Sequence, residues 1–206
     1  MVGPMDIIRQ PRVLVAVLAA GQARRFGGNK LEQPCAGQPL GLWALQAAAA
    51  TGHPVVVVSA VPQPGFAAGW QDRSEICVNP DAQAGLGGSI RIAAQAAQAQ
   101  CADILMTMLA DMPLVTPALI ASLAATCTPQ SASACLYPGM VPGIPAAWGC
   151  ALFPQLAAID PASGGRPLLR QVAGLVTHAA DPAMLLDVDV PADLHQAERA
   201  LLMRTE

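Results

Sequence analysis

The sequence is poor in charged residues and very poor in aromatic ones. Of its 206 residues, 12% are charged and 3% are aromatic, and the formal net charge is −3. A surface that binds nucleic acid needs clustered basic residues and aromatic rings on which bases stack. The composition therefore argues against a nucleic-acid partner and favours a small molecule.

Long apolar runs are also missing, although 53% of the residues are hydrophobic. No run reaches the roughly 18 to 20 apolar residues that a membrane span needs. The apolar segment near the start, VLVAVLAA, is short and rich in valine, which indicates a buried strand rather than a signal peptide. We therefore expect a cytoplasmic protein with no membrane partner.

Cysteine and histidine occur without the spacing of a metal site. The six cysteines and three histidines are dispersed along the chain, and no CxxC pair is present. We expect the cysteines to be reduced, buried thiols.

What the sequence does contain is an alternation of apolar, β-branched runs with segments rich in alanine and leucine. This alternation predicts an α/β fold of three αβα layers around a mostly parallel, Rossmann-like sheet, and the length suits a single domain over residues 1–206. The later, proline-rich part is expected to contain an antiparallel strand or hairpin. We predict strands near residues 12–19, 54–60, 75–79, 103–110, 133–138, 143–148 and 174–179. We predict helices near residues 39–51, 87–100, 117–126, 151–158, 166–173 and 191–203.

The first predicted strand leads into a glycine-rich loop, LAAGQARRFGGNK, that holds the only lysine of the chain. Ligands of open α/β sheets lie beyond the carboxyl ends of the strands, so this loop is in the functional position. Its glycines, Gly21, Gly27 and Gly28, would turn N–H groups towards anionic oxygens. Arg25 and Lys30 could hold a triphosphate and neutralise a leaving pyrophosphate.

The spacing of this loop matches neither GxGxxG nor GxxxxGK[ST]. A nicotinamide-dependent oxidoreductase is therefore disfavoured. A flexible surface loop, in which the glycines only connect a strand to a helix, remains the alternative on spacing alone.

Two acidic residues are candidate ligands of a divalent cation. Asp111 follows the apolar run ILMTMLA at the end of a predicted central strand, and Mg²⁺ commonly uses one or two carboxylates together with substrate phosphates. Asp189 is the candidate second ligand, with Asp187 and Asp193 as competitors. The alternatives are a turn acid for Asp111 and a helix-start acid for Asp189.

A second glycine-rich segment, NPDAQAGLGGSIR, precedes a helix predicted to begin near Ser89. Free N–H groups at such a helix start could bind an anion or the polar edge of a base. An ordinary turn with Ser89 as the N-cap is the alternative.

Several segments resemble one known family. LAAGQARRFGGNKL is similar to the signature LAAGxSxRxGxxK of the MobA-like NTP transferases, most closely of the branch of molybdenum cofactor cytidylyltransferases. Further matches in the family's order cover nearly the whole chain: GQPL (37–40), NPDAQAGLGGSIRIA (79–93), ADMPLVTP (110–117) and DVDVPADL (187–194).

The resemblance implies the fold of the nucleotide-diphospho-sugar transferases and a nucleotidyl transfer that needs Mg²⁺. CMP would pass from CTP to the phosphate of molybdopterin, and a recipient molybdoenzyme is a further possible partner. Residues of about 12–115 would bind the nucleotide, and residues of about 116–190 the acceptor. The implied nucleotide-binding residues are Leu18, Ala19, Ala20, Gly21, Lys30, Asn79, Gly85 and Ser89. The implied catalytic residues are Arg25, Lys30 and Asp111, and the implied metal ligands are Asp111 and Asp189.

The acceptor segment departs from the family pattern. PASGGRPLL (161–169) resembles GDxGARxLL, with Arg166 at the position of the arginine as a candidate ligand of the acceptor phosphate. Ala162 stands where aspartate is usual, which leaves the acceptor open, and Ala23 stands where serine or glycine is usual. A surface arginine at a helix start is the alternative for Arg166.

The sequence also leaves the identity of the nucleotide undecided. Ala20 in LAAG favours CTP, because guanylyltransferase relatives usually have LAGG, but one methyl group rarely fixes the choice of base. The alternatives are a GTP-using guanylyltransferase and a transferase for a sugar or polyol phosphate. From another class, a non-catalytic nucleotide-binding factor for molybdoenzyme maturation also remains.

Overall fold

The computed structural model describes residues 9–21, 23 and 25–204. Nine strands are formed in this part of the chain. They are β1 (Val13–Leu18), β2 (Pro34–Cys35), β3 (Gln38–Pro39), β4 (Val55–Ser59), β5 (Glu75–Val78), β6 (Ile104–Leu109), β7 (Ala132–Tyr137), β8 (Val141–Gly149) and β9 (Val176–Ala179). Seven of them form the central sheet in the order β5-β4-β1-β6-β8-β7-β9, and β2 pairs with β3 in a small separate hairpin.

Six α-helices accompany these strands in the described residues. They are α1 (Leu40–Ala49), α2 (Leu86–Ala99), α3 (Pro117–Thr126), α4 (Phe153–Ala157), α5 (Arg166–Leu169) and α6 (Pro191–Arg204). The start of α3 shows why the prediction held there, since the Thr116 side chain accepts a hydrogen bond from the N–H of Leu119 and Pro117 occupies the first turn. None of these helices combines the length and apolar character needed to cross a membrane.

The central sheet is covered by helices on both faces. All six residues of β1 are buried, and its alternate side chains enter two different hydrophobic clusters. Val15 packs with residues of α1 and α3 on one face, and Leu14 packs with residues of α2 and α4 on the other. A strand buried on both faces reads as a continuous apolar run, which is why VLVAVL was recognisable in the sequence. The predicted three-layer α/β fold is confirmed.

The strand β8 runs against the rest of the sheet. It pairs antiparallel with both β6 and β7, whereas β1 with β4, β1 with β6, β4 with β5 and β7 with β9 are parallel pairs. The expected antiparallel element in the later part of the chain is therefore confirmed. Because β8 is antiparallel to both β6 and β7, the strands β7 and β9 run in the same direction as β1, β5 and β6 and end at the same edge of the sheet.

This topology brings distant parts of the sequence to one edge of the sheet. The glycine-rich loop follows β1, Asn79 follows β5, and Asp111 lies just beyond the end of β6. The segment that contains Asp187 and Asp189 follows β9.

Candidate active site

A cavity of about 350 Å³ opens at this edge, and we call it the first cavity. It lies between the loop after β1, the start of α2 and the residues that follow β6. Ten residues of the sequence prediction line it: Leu18, Ala19, Ala20, Gly21, Arg25, Lys30, Gly85, Ser89, Asp111 and Asp189. Asn79 and Arg166 are not among its lining residues. The first cavity has a charged end, formed by Arg25, Lys30, Asp111 and Asp189, and an uncharged end, formed by Ala82, Gln83, Gly85, Leu86 and Ser89.

Lys30 is the most buried charge of the charged end, with a relative exposure of only 6%. Its Nζ lies 2.5 Å from Oδ2 of Asp111 and 3.5 Å from Oδ1 of Asp189. It also donates a hydrogen bond of 2.8 Å to the carbonyl oxygen of Val188. A buried ammonium is stable only with such partners. The three partners come from two segments that are distant from Lys30 in the sequence.

The charge state of Lys30 follows from two opposing effects. Burial lowers the pKa of the ammonium, but the carboxylate of Asp111 raises it through both its charge and its hydrogen bond. Asp187 and Asp189 add to this effect, and the net result is a pKa above the usual value of lysine. Lys30 therefore stays protonated and supplies a fixed positive charge at neutral pH.

The loop before Lys30 uses its N–H groups differently from the prediction. The carbonyl oxygen of Ala23 accepts hydrogen bonds from the N–H groups of Phe26, Gly27 and Gly28, so the two glycine N–H groups close a turn. The expectation that they point at a ligand is wrong for this conformation. Gly27 and Gly28 have φ values of 93° and 109°, which favour glycine, and this turn directs the chain back so that Lys30 faces Asp111.

Asp111 has one oxygen without a partner. Its Oδ2 pairs with Lys30, but Oδ1 is buried and has no hydrogen-bond partner within the described part of the chain. A buried polar atom is normally paired, so an unpaired oxygen at the wall of a cavity suggests that a ligand satisfies it. A hard divalent cation prefers oxygen ligands of this kind.

Asp189 completes the charged end. Its Oδ2 lies 2.6 Å from a guanidinium nitrogen of Arg25, whose side chain is 74% exposed. The residues present therefore fit a divalent cation with two carboxylates, Asp111 and Asp189. No group of three or more His, Cys, Asp or Glu side chains able to hold a metal occurs among residues 9–21, 23 and 25–204. Such an ion would have to take its remaining ligands from substrate or water.

The two competing acids take other positions. Asp193 accepts hydrogen bonds of 2.9 Å from the N–H groups of Asp189 and Val190, and so it caps the start of α6. Asp187 is partly accessible to solvent as a residue, but its carboxyl lies on the side of Asp111. Its pKa rises to about 7, chiefly because the carboxyl is withdrawn from solvent and because Asp111 and Asp189 are negative; Lys30 opposes this rise.

The uncharged end is shaped by contacts that the start of α2 makes with a distant turn. The helix begins at Leu86 after Gly85, so Ser89 lies inside the first turn, and the alternative in which Ser89 is the N-cap is wrong. The N–H of Gly87 donates a hydrogen bond of 3.1 Å to the carbonyl oxygen of Pro161. That N–H is therefore not free for an anion, contrary to the prediction.

Asn79 does not line the first cavity, but it holds the side chain of Ser89, which does. It is only 3% exposed, and its Nδ2 donates a hydrogen bond of 3.1 Å to Oγ of Ser89. Its Oδ1 accepts a hydrogen bond of 3.1 Å from the N–H of Asp81. The hydroxyl oxygen of Ser89 is thus occupied by Asn79, which leaves its proton to be donated.

Residues 15–183 match the MobA-like NTP transferase domain. The chain belongs to this family. The predicted resemblance is therefore confirmed at the level of the family.

One related protein and several solved structures are similar over almost their full length. The purine catabolism protein PucB of Bacillus subtilis (strain 168) is 29% identical, and the match covers 94% of this chain and 100% of that protein. The nucleotidyl transferase Mth528 from Methanothermobacter thermautotrophicus superposes with a TM-score of 0.78 at 21% identity, over 95% of this chain and 99% of that chain.

Two further structures share the fold. Rv0371c from Mycobacterium tuberculosis H37Rv, in complex with manganese, has a TM-score of 0.72 at 22% identity, covering 92% of this chain and 99% of that chain. The molybdopterin-guanine dinucleotide biosynthesis protein A from Archaeoglobus fulgidus has a TM-score of 0.69 at 20% identity, over 92% of this chain and 99% of that chain.

The acceptor residue predicted from the family pattern lies away from the first cavity. Arg166 begins α5 and is exposed, and its Cζ lies 5.5 Å from the centroid of the Tyr137 ring. In the preceding turn, the N–H of Ala162 donates a hydrogen bond of 2.9 Å to Oδ1 of Asp160. An aspartate two residues before the family position therefore organises this turn.

Several residues of the site were missed. Leu31, Ala82, Gln83 and Leu86 also line the first cavity, and no motif pointed to their side chains. The carbonyl oxygen of Val188 could not have been predicted as a partner of Lys30, because any residue type supplies that atom. The spacing of DVDVP did raise Asp187 as a candidate, but the sequence could not separate it from Asp189.

Proposed function

We propose that this chain transfers CMP from CTP to the phosphate of molybdopterin and releases pyrophosphate. The observation that carries the proposal is the convergence of two cations and two carboxylates, Arg25, Lys30, Asp111 and Asp189, at one end of the first cavity. A nucleoside triphosphate needs cations to bind its phosphates, and its metal ion needs carboxylates at the same place. The uncharged end then offers room for a nucleoside.

Arg25 and Lys30 are the proposed ligands of the triphosphate. Arginine binds phosphate oxygens in pairs, and lysine acts as a compact point charge. Both side chains now pair with carboxylates, at 2.6 Å for Arg25 and 2.5 Å for Lys30. When a nucleotide enters, they would exchange these partners for phosphate oxygens and then stabilise the charge that grows on pyrophosphate.

Asp111 and Asp189 are the proposed ligands of Mg²⁺. The unpaired Oδ1 of Asp111 supports this role, as does the manganese complex of a protein with the same fold. When bound, such an ion supplies positive charge that makes the α-phosphorus a better electrophile.

The reaction needs no dedicated base from the protein. An oxygen of the acceptor phosphate would form a bond to the α-phosphorus of CTP while the bond to the bridging oxygen breaks. A phosphate monoester has a second pKa near 6 and is already largely ionised at neutral pH. Catalysis would then come from positioning and from the fixed charges of Arg25 and Lys30.

The choice of CTP is supported by Ala20. This residue is 3% exposed and lies in the wall of the first cavity, where guanylyltransferase relatives usually have glycine. GTP is the second candidate, because a molybdopterin-guanine dinucleotide biosynthesis protein shares the fold.

We further propose that both substrates bind within a single domain in the cytoplasm, with residues of about 12–115 serving the nucleotide and residues of about 116–190 the acceptor. Arg166 belongs to the acceptor part. A recipient molybdoenzyme would take up the product.

The decisive experiment uses the purified chain with Mg²⁺, molybdopterin and each nucleoside triphosphate in turn, and measures pyrophosphate. We expect release with CTP and a dinucleotide product of matching mass. Release with GTP alone would move the protein to the guanylyltransferases. Tight CTP binding without release, under conditions in which a known transferase turns over, would favour a non-catalytic maturation factor.

A further inference from the structure

A second cavity of about 290 Å³ lies between the end of β7 and the segment that follows β9. No motif in the sequence points to it. We call it the second cavity, and it is lined by Leu136, Tyr137, Pro138, Ala180, Pro182, Leu185, Leu186 and Asp187.

The lining of the second cavity is almost free of polar side chains. Only Tyr137 and Asp187 carry polar groups, and the hydroxyl of Tyr137 already donates a hydrogen bond to the carbonyl oxygen of Ile144. A sugar or polyol needs several hydrogen-bonding side chains to replace its water shell. A flat ring system instead gains from apolar walls and from an aromatic surface. The lining therefore fits a heteroaromatic body.

The ring of Tyr137 is held in place from several sides. Its hydroxyl is fixed by Ile144, and the guanidinium of Arg166 lies over the ring at 5.5 Å from the centroid. A Cβ added at Gly143 would lie 2.8 Å from a ring carbon, so the backbone of β8 packs directly against the ring. Arg166 itself does not line the second cavity. Its contact with Tyr137 gives this predicted acceptor residue a role that does not require it to touch phosphate.

The second cavity adjoins the charged end of the first. Asp187 lines the second cavity, and the N–H of the next residue, Val188, donates a hydrogen bond of 3.0 Å to the carbonyl oxygen of Asp111, which lines the first. A molecule in the second cavity would therefore lie next to the place where the α-phosphorus is expected.

We propose that the second cavity binds the ring system of the acceptor, with Tyr137 as its stacking surface and Arg166 as the residue that positions Tyr137. This locates the ring of the proposed acceptor, and it predicts that sugar and polyol phosphates do not compete for the second cavity. The assignment rests on the proposed nucleotidyl transfer.

The test measures binding rather than turnover. The probe is 6-hydroxymethylpterin, a pterin without a phosphate, and its intrinsic fluorescence is titrated with the full chain. Sorbitol 6-phosphate serves as the polyol competitor. Binding of CTP with Mg²⁺ is measured separately on the same preparations.

Two tryptophan variants form a matched pair. Ala180 lines the second cavity, whereas the nearby Ala183 is exposed and does not. We expect Ala180→Trp to fill the second cavity and weaken pterin binding at least about tenfold, and Ala183→Trp to leave it unchanged. Both variants should bind CTP with Mg²⁺ like the wild type, which also shows that they are folded.

Variants of Tyr137 and Arg166 test separately whether pterin binding needs the aromatic ring and the cation over it. Tyr137→Phe keeps the ring and should keep pterin binding, whereas Tyr137→Leu should weaken it roughly tenfold. Arg166→Ala should weaken binding about two- to fivefold, and Arg166→Lys, which retains a cation over the ring, should restore most of it.

Three results would overturn the proposal: no pterin binding to the wild type, equal binding by Ala180→Trp and Ala183→Trp, or displacement of pterin by sorbitol 6-phosphate. If CTP with Mg²⁺ still binds in any of these cases, nucleotidyl transfer stands and only the acceptor assignment fails. If pterin binds but CTP does not, the proposed nucleotidyl transfer fails instead.

Discussion

The two ends of the first cavity are built in different ways. The charged end joins the loop after β1, the segment after β6 and the segment before α6, and ion pairs of 2.5 and 2.6 Å connect them. The uncharged end comes from one local segment, residues 82–89, at the start of α2. Tertiary structure therefore assembles the charges, whereas one local segment, held by hydrogen bonds with Asn79 and Pro161, lines the space for the nucleoside. Substitutions at the two ends should therefore affect different kinetic constants, and by different amounts.

The largest effect is expected for Asp111→Asn at the charged end. The amide keeps the shape but loses the negative charge that Lys30 and a divalent cation both use. We expect kcat to fall by about 10²- to 10³-fold, measured as pyrophosphate release at saturating CTP and Mg²⁺. Asp72→Asn, at an exposed position outside the first cavity, is the matched control. Near-normal turnover of Asp111→Asn would show that the metal role assigned to Asp111 is wrong.

Lys30→Met should lower the catalytic efficiency but raise the affinity for a divalent cation. The methionine retains much of the apolar stem but leaves Asp111 and Asp189 without the ammonium that lies between them. We expect kcat/KM to fall by about 10²-fold, because the triphosphate loses a buried cation.

The same Lys30→Met variant should bind Mn²⁺ more tightly than the wild type when no nucleotide is present, because the ammonium no longer competes for the carboxylates. Titration followed by electron paramagnetic resonance measures this directly. Weaker Mn²⁺ binding would mean that Lys30 organises the carboxylates rather than competes with the ion.

A smaller effect is expected for Ser89→Ala at the uncharged end. The substitution removes a donor to the nucleoside and leaves Nδ2 of Asn79, which is buried, without its partner. We expect KM for CTP to rise about five- to tenfold with kcat nearly unchanged, in contrast with the kcat effects at the charged end. A loss confined to kcat would place Ser89 in the chemistry and remove the distinction between the two ends.

The smallest effect is expected for Ala20→Gly, which removes one methyl group from the wall of the first cavity. The ratio of kcat/KM for CTP to that for GTP should shift towards GTP by less than about tenfold. Parallel assays with both nucleotides measure it. A shift towards CTP would remove the argument that links Ala20 to the choice of base.

The regular elements were predictable because their physical signals are local. β1 and β4 are buried on both faces and read as continuous apolar runs. The start of α3 is indicated by Thr116 as N-cap and by Pro117 in the first turn. The hairpin of β2 and β3 was missed because each strand has only two residues, too few for a pattern. The hairpin is stabilised by a contact with a distant helix, because Glu198 of α6 accepts a hydrogen bond of 3.0 Å from the N–H of Ala36.

The candidate site was predictable in its residue types and less so in its contacts. Arg25, Lys30, Asp111 and Asp189 were found by motif and do lie together. Backbone partners carry no such signal, which explains why the turn closed by Ala23 was not foreseen. The second cavity depends on how β7 packs beside the segment after β9, and that neighbourhood is set by the direction of β8.

The position of Lys30 also has a consequence for labelling chemistry. It is the only lysine in the sequence, and its side chain is 8% exposed in an ion pair with Asp111. A reagent that acylates amines can reach this nitrogen only after the pair has opened and a proton has left. The rate of acylation at Lys30 therefore records how often the charged end opens, and it would do so without any substrate being turned over.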